Sequence, residues 1–430
     1  PGTAAGRSPQ QVLAVFGDDS LHGGDGGRNH LVIGLLHGQA LHPQAGGHHG
    51  PGEPVVVTGA GLLHLVADVH NHRDAQQLGK GAQKGVGEGD EVIIQGYTCV
   101  VVVNAVIYLG AKPIYVDIDQ HTFNINLDNL KNKVTNNTKV IICQNTYGLS
   151  SNLEEIQKIA SKKGIYTVED CTHGFGGSYH GIPNGTSCDA SFFSTQWNKP
   201  FSTGIGGFAV IHNSSLLNKM KEQEQDKIFP NFKDRVELKM MYFIREYLVN
   251  DFTYWFMVSL YRWLSRHNLV VGSSSGEEVT GTEMPDNYFK AMSVTQMKKG
   301  IKSIQKLNEV NKIRKKNATE YTHFLMTKSK NHVNKHLFSD HIFLKYPLLV
   351  ENREEFKKKA EKNRIILGEW FEAPVYPYSG SLKLWGVDEK DIPVAMYVSK
   401  HVVNLPTDIE EVNKVIDFLK RELLLIKDEE

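Results

Sequence analysis

From Glu91 onward the apolar positions fall into short saturated runs separated by longer amphipathic stretches. Glu91 to Gln95 reads as a buried strand, Lys112 to Ile118 as a second, Lys139 to Asn145 as a third and Ile165 to Asp170 as a fourth. Between the third and fourth the spacing predicts a helix. Leu153, Ile156 and Ile159-Ala160 form its apolar stripe, Ser151 and Glu154 have the form of a capping box, and Gly164 supplies the stop. Val100 to Ile107 is β-branched enough for a strand, but it must connect neighbouring strands by a crossover, so a helix is expected there. This alternation predicts an α/β architecture: a mostly parallel sheet with helices on both faces and ligands at the carboxyl ends of the strands.

Further along, residues 230–284 read as a helical insertion, and helical periodicity resumes from Ser293 to Leu325. A strand at His341 to Val350, a helix from Arg353 to Lys362, a strand around Ile365 to Phe371 and a closing helix capped by Thr407 and Glu410 follow. They predict a small α+β second domain over 301–430, after a large domain over 87–300. Residues 1–86 differ. They are rich in Gly and His, hold only Lys80 and Lys84 as lysines and only Ile33 as isoleucine, and show no sustained helix or strand periodicity. They are not expected to form a native domain of the protein or to pack as one against the large domain. Pro54-Val-Val-Val-Thr-Gly-Ala-Gly-Leu-Leu-His64 resembles a strand entering a dinucleotide-binding turn, but His64 stands at the third glycine position. His37, His42, His48 and His49 match no metal-ligand spacing, so no metal site is expected.

The 430 residues are 40% hydrophobic, enough for cores and a cofactor-binding enzyme, and Lys plus Arg balance Asp plus Glu at 48 each. That balance favours small-molecule chemistry over nucleic acid or an anionic membrane. Cys99, Cys143, Cys171 and Cys188 have neither zinc-site pairing nor the density of a disulfide scaffold, which fits a reducing cytoplasm. No signal peptide is expected. Phe252 to Leu264 is apolar and aromatic but too short and interrupted to span a bilayer, so a packed amphipathic helix is expected.

Asp170 stands where a buried strand should end, and Lys199 follows 29 residues later in Ser194-Thr-Gln-Trp-Asn-Lys-Pro200. Alone these are weak signals, because strand-end aspartates often cap helices and single lysines usually lie on the surface. Gly89-Asp-Glu-Val-Ile, Gly110-Ala-Lys-Pro, Val116-Asp-Ile-Asp119, Tyr147-Gly, Glu169-Asp-Cys-Thr-His173 and Gly204-Ile-Gly-Gly-Phe-Ala-Val210 stand in a recognisable order and spacing. With Met292-Ser-Val-Thr-Gln296 and Val403-Asn-Leu-Pro406, they resemble the sugar aminotransferases grouped with DegT, DnrJ, EryC1 and StrS, from about Gly87 to the end.

The resemblance implies a fold-type-I large domain, a pyridoxal 5'-phosphate cofactor and a homodimer. It implies transfer of an amino group from an amino acid such as glutamate to a nucleotide-linked keto sugar. Lys199 falls on the lysine that bonds the cofactor aldehyde and shuttles protons. Asp170 falls on the carboxylate that faces the pyridine nitrogen, Ser194 on a phosphate-binding serine, and His173 on a position near the ring substituents. Three departures stand out. Cys99 occupies the usually aromatic position that stacks on the pyridine, with Tyr97 as a substitute, and Ile205 replaces an acid inside the Gly-x-Gly-Gly turn. No Gly-Thr/Ser-Ala phosphate cup stands at the distance before Gly89 that the family implies; Thr58-Gly-Ala-Gly61 is a faint echo at the wrong spacing. Two other readings follow: a member unable to hold the phosphate, or a dehydratase of the same family, in which a histidine would replace Lys199.

Overall fold

Nine strands make the central sheet of the computed structural model, which describes residues 11–16, 31–36, 55–58, 86–212, 228–250, 253–266, 279, 281–285, 290–378 and 380–429. In chain order the strands are β1 (Gln11–Phe16), β2 (Leu31–Leu36), β3 (Val55–Thr58), β4 (Glu91–Gln95) and β5 (Thr98–Cys99). Next come β6 (Lys112–Val116), β7 (Thr138–Gln144), β8 (Tyr166–Asp170), β9 (Ser178–Tyr179) and β10 (Ile182–Pro183). The last are β11 (Ala190–Ser194), β12 (Gly207–Ile211), β13 (Tyr346–Leu349), β14 (Val375–Tyr376) and β15 (Val402–Leu405). The large sheet runs β1-β2-β3-β12-β11-β8-β7-β4-β6. From β11 to β6 every pairing is parallel, and β12 runs antiparallel to β11. The expected parallel strands are therefore present, with ends within two residues of those read from the sequence.

Helices cover both faces. Val100–Ile107 is a helix, as the crossover argument requires, and its valines pack with Val92, Ile94, Trp385 and Ile392 on one face. Leu127–Lys133 and Leu153–Ser161 pack on the other, through Leu130, Leu153, Ile156 and Ala160 against Ile93 and Ile141. A second core, built around Tyr321, Tyr346, Phe356 and Phe418, lies among the helices Leu307–Met326, Arg353–Lys362 and Val412–Arg421 and the antiparallel pair β13-β15. The segment from Phe371 to Val402 leaves that core and joins the first one, so the C-terminal third is shared between the two.

Several local expectations are corrected. The cap of Leu153–Ser161 is Asn152, whose side chain accepts from Glu155 N–H; Ser151 instead donates to the carbonyl of Gln144 at 2.5 Å. Thr407 likewise donates to Phe343 O, and Val412–Arg421 has no side-chain cap. Ile365 to Phe371 forms no strand; only Gly368 bridges to Asn404, at the close approach a side chain there would block. Phe252 to Leu264 is helical as Tyr254–Arg266, but Phe256, Leu260 and Trp263 are exposed rather than packed. The sheet also crosses the composition break near residue 86. β1, β2 and β3 are runs saturated with aliphatic residues, which suit strands without alternation, and β3 pairs antiparallel with β12.

A long-range cap ties the C-terminal segment to the sheet. The helix Pro393–His401 has no cap from its own Ile392. Asp117, just after β6, accepts from the N–H groups of Val394 and Ala395 at 2.9 Å each. Its charge also sits at the positive end of the helix dipole. Asp117→Ala is expected to cost about 1–2 kcal/mol, because it leaves one buried and one half-buried donor unpaired. Urea unfolding checks this: an unchanged midpoint would mean that water replaces the cap.

Candidate functional site

The carboxyl edge of the parallel sheet collects the sequence-predicted residues. Asp170 ends β8, and the register that sets it opposite Phe192 puts Ser194, two residues on, at the same edge of β11. Strand alternation sends Glu169 the other way. Glu169 is fully buried, accepts from Asn145 Nδ2 at 2.8 Å and from Gly185 N–H at 2.7 Å, and so serves the scaffold. Asp170 is buried with one oxygen held by Thr172 N–H at 2.9 Å. Burial pushes its pKa up, opposed by the bonds to Thr172 and the nearby charge of Lys199.

Lys199 follows β11 on the loop to β12. Its Nζ lies 3.1 Å from His173 Nε2 and 4.6 Å from the centroid of the Trp370 ring. Loss of hydration holds the Lys199 pKa below the ordinary lysine value, while Cys99 and Asp170 pull it back up. Cys99 therefore stands within electrostatic reach of the amine. It is half-buried at the start of the helix Val100–Ile107, where β5 pairs with β14. Tyr97 does not share that position. It is fully buried, its hydroxyl bonds that of Tyr147 at 2.8 Å, and its ring packs on Phe371, which leaves no face for a ligand ring.

His173 has its protonation fixed by neighbours. Tyr147 lies in the left-handed region at φ 55°, rarely adopted by a residue with a side chain, and its N–H donates to His173 Nδ1 at 3.3 Å. Burial, with the charges of Lys199 and Lys345, holds the imidazole pKa well below its usual value. A neutral ring that accepts at Nδ1 carries its hydrogen on Nε2. That hydrogen can be donated to Nζ only if Lys199 is the neutral amine. Desolvation thus favours the free amine of Lys199 beside a buried carboxyl.

Trp370 was not legible in the sequence. Its ring stacks on His173 with centroids 4.4 Å apart at 16°, so a C-terminal residue forms one wall. Gln296 holds the Gly204 turn from another side by donating to Ile205 O. Thr58, opposite Phe208, brings the end of β3 to the same edge as Ser194. Residues 59–61, the rest of the faint phosphate-cup echo, lie outside the described residues, as do His37, His42, His48 and His49. Among the described residues no cluster of His, Cys, Asp and Glu is arranged to hold a metal.

Parts of the chain are similar to proteins of known activity. Over 135 residues the chain is 39% identical to GDP-perosamine synthase of Escherichia coli O157:H7, covering 31% of this chain and 37% of that protein. It is 41% identical over 150 residues to UDP-2-acetamido-2-deoxy-3-oxo-D-glucuronate aminotransferase of Pseudomonas aeruginosa, covering 34% of this chain and 41% of that protein. These alignments span well under half of each relative. The solved structure of the putative sugar aminotransferase Spr1654 from Streptococcus pneumoniae, in its PLP form, superposes with a TM-score of 0.60 at 20% identity. That match covers 87% of this chain and 88% of the other, and shows the shared fold-type-I architecture. The family profile itself matches residues 61–238 and 264–420, which moves the start of the resemblance from about Gly87 to residue 61. The chain belongs to the DegT/DnrJ/EryC1/StrS aminotransferase family, whose members are pyridoxal-phosphate-dependent.

Proposed function

We propose that the chain is an aminotransferase that moves an amino group from an amino acid, glutamate, to a keto sugar carried on a nucleotide. The observation that carries this reading is the contact of Lys199 Nζ with His173 Nε2 at 3.1 Å beside the buried Asp170. The names of the two relatives, one a GDP-sugar enzyme and one a UDP-sugar aminotransferase, support a nucleotide-linked acceptor. We also infer a cytoplasmic homodimer whose partner subunit adds phosphate contacts.

Pyridoxal phosphate, when bound, supplies an aldehyde that captures amines and a pyridine ring that draws electrons from a deprotonated Cα. The residues suit that group. A buried carboxyl with a raised pKa gains from a cationic N–H donor, and a protonated pyridine nitrogen is one. Lys199 would bond the aldehyde carbon as a free amine with loss of water and, once the substrate amine has displaced it, would carry a proton between the substrate Cα and the cofactor C4'. Ser194 would donate its hydroxyl to the phosphate, and His173 would hold Lys199 Nζ in place through Nε2. Trp370 covers one side of the partly buried Lys199.

Purified protein mixed with pyridoxal phosphate should develop a visible absorption band. L-Glutamate should then bleach that band and release 2-oxoglutarate, and a nucleotide keto sugar should restore it. No band would favour the member unable to hold the phosphate, and a band that only other amino acids bleach would move the donor. Cys99→Phe tests the stacking position. If Cys99 covers the ring, the larger side chain should tighten cofactor binding by about two- to tenfold, which corresponds to 0.5–1.5 kcal/mol for an aromatic pair. An absorbance titration with unchanged affinity would take Cys99 off the ring face.

A further inference from the structure

The helical insertion turns an apolar face outward. Its first helix, Phe232–Phe243, is anchored from behind by buried Leu238 and by Tyr242, whose hydroxyl donates to Thr203 O and whose ring meets Trp197 edge-on at 5.4 Å. On the other side Phe232, Val236, Met240 and Phe243 recur at intervals of four, four and three, a stripe within about 80° of arc. Their exposures are 75%, 47%, 49% and 55%. Phe229 before the helix, and Tyr247 and Leu248 in the π-turn Ile244–Leu248, add to the exposed apolar surface. In Tyr254–Arg266 the same spacing returns with exposed Phe256, Leu260 and Trp263. A helix that needs only its own domain turns polar residues to water, and a contiguous apolar patch of this kind marks an interaction site.

The charges select the occupant. Each acid on the first helix and its π-turn is matched: Asp234 by Lys290 at 3.1 Å, Glu237 by Lys233 at 3.7 Å and Glu246 by Lys299 at 2.9 Å. Arg235 and Lys239 flank one edge of the stripe, both exposed, and make no ion pair among the described residues. Lys233 lines the other edge. A second copy seated antiparallel on this stripe would set the Arg235–Lys239 edge against itself, and a parallel copy would set it against Lys233. The antiparallel arrangement opposes like charges, and the parallel one offers Arg235 and Lys239 only a lysine that Glu237 already holds. An anionic surface accepts the Arg235–Lys239 edge directly, and Phe, Tyr and Trp are the side chains that settle at lipid headgroup depth. No described helix is long and apolar enough to cross a membrane, so the element would lie in the plane of the interface.

We propose that the outward face of Phe232–Phe243 docks on an anionic lipid surface, with the apolar stripe among the headgroups and Arg235 and Lys239 at the lipid phosphates. The back of this helix packs on the 197–204 loop that carries Lys199, so docking brings that loop towards the lipid. The whole chain is floated with phosphatidylcholine vesicles with and without about 30% phosphatidylglycerol. The wild type should float with the anionic vesicles. Arg235→Glu with Lys239→Glu should weaken that binding on the order of tenfold or more. Phe232→Ser with Phe243→Ser should abolish it while circular dichroism and the pyridoxal band stay unchanged. No flotation of the wild type overturns the proposal, and so does flotation that neither pair alters. If the Phe232→Ser, Phe243→Ser pair converts a dimer to a monomer in sedimentation equilibrium, the occupant is a second copy and the lipid assignment falls.

Discussion

Lys199→Ala should yield a folded, colourless protein whose transaminase activity falls below about one part in 10^4 of wild type, the scale of removing a nucleophile that acts with its neighbours. One side chain serves as covalent anchor and as proton carrier, so no partial function should survive its loss. The fold should persist, because Lys199 makes no salt bridge among the described residues and its amine sits in a desolvating site. Difference absorbance after adding pyridoxal phosphate reads the anchor, and product formation reads the shuttle. A surviving band would point to another amine, with Lys345 the first to try, since its charge also reaches His173. The wild type has a matching pH signature. Because the Lys199 pKa is lowered, the capturing amine is present below the pH at which an ordinary lysine, near 10.4, loses its proton. The rate of cofactor capture should therefore rise with pH and level off below that point.

The parallel core was legible because its strands are buried on both faces and read as continuous apolar runs. Glu91–Gln95 is a strand over the residues read from the pattern alone. The helix Val100–Ile107 needed a topological argument against its own propensity, and its valines show why: several are buried, so packing outweighs β-branching. The caps failed where neighbours offer equivalent oxygens. In Ser150-Ser-Asn152 any of the three could cap, and only the tertiary position of Gln144 O decides that Ser151 turns away. Asp170, His173 and Lys199 were found by motif, and the structure brings them together. Trp370 carries no motif and stands 171 residues beyond Lys199, so only the fold brings it there. Periodicity predicted the insertion helices but could not say whether their apolar stripe meets protein or solvent, which depends on what lies opposite.

Asp170→Asn is expected to leave cofactor bound and the visible band present, yet to lower turnover by roughly 10^2 to 10^3, the cost of removing one aimed charge from a desolvated site. Asparagine keeps the shape and can still accept from Thr172 N–H, so β8 and its register with β11 should be undisturbed. What it removes is the negative charge that would keep a pyridine nitrogen protonated. Without that proton the ring is a poor acceptor for the Cα electron pair, so the proton-transfer step should slow most and binding least. Single-turnover measurement with Cα-deuterated glutamate separates these steps: the isotope effect should grow in the variant as proton removal becomes limiting. Glu169 is the natural rival because it is the adjacent carboxylate, but its two oxygens are already held by Asn145 and Gly185 on the far side of the strand. An unchanged rate in Asp170→Asn would therefore rule out the carboxylate that ends β8, and the pyridine-facing role would have to be sought on another element.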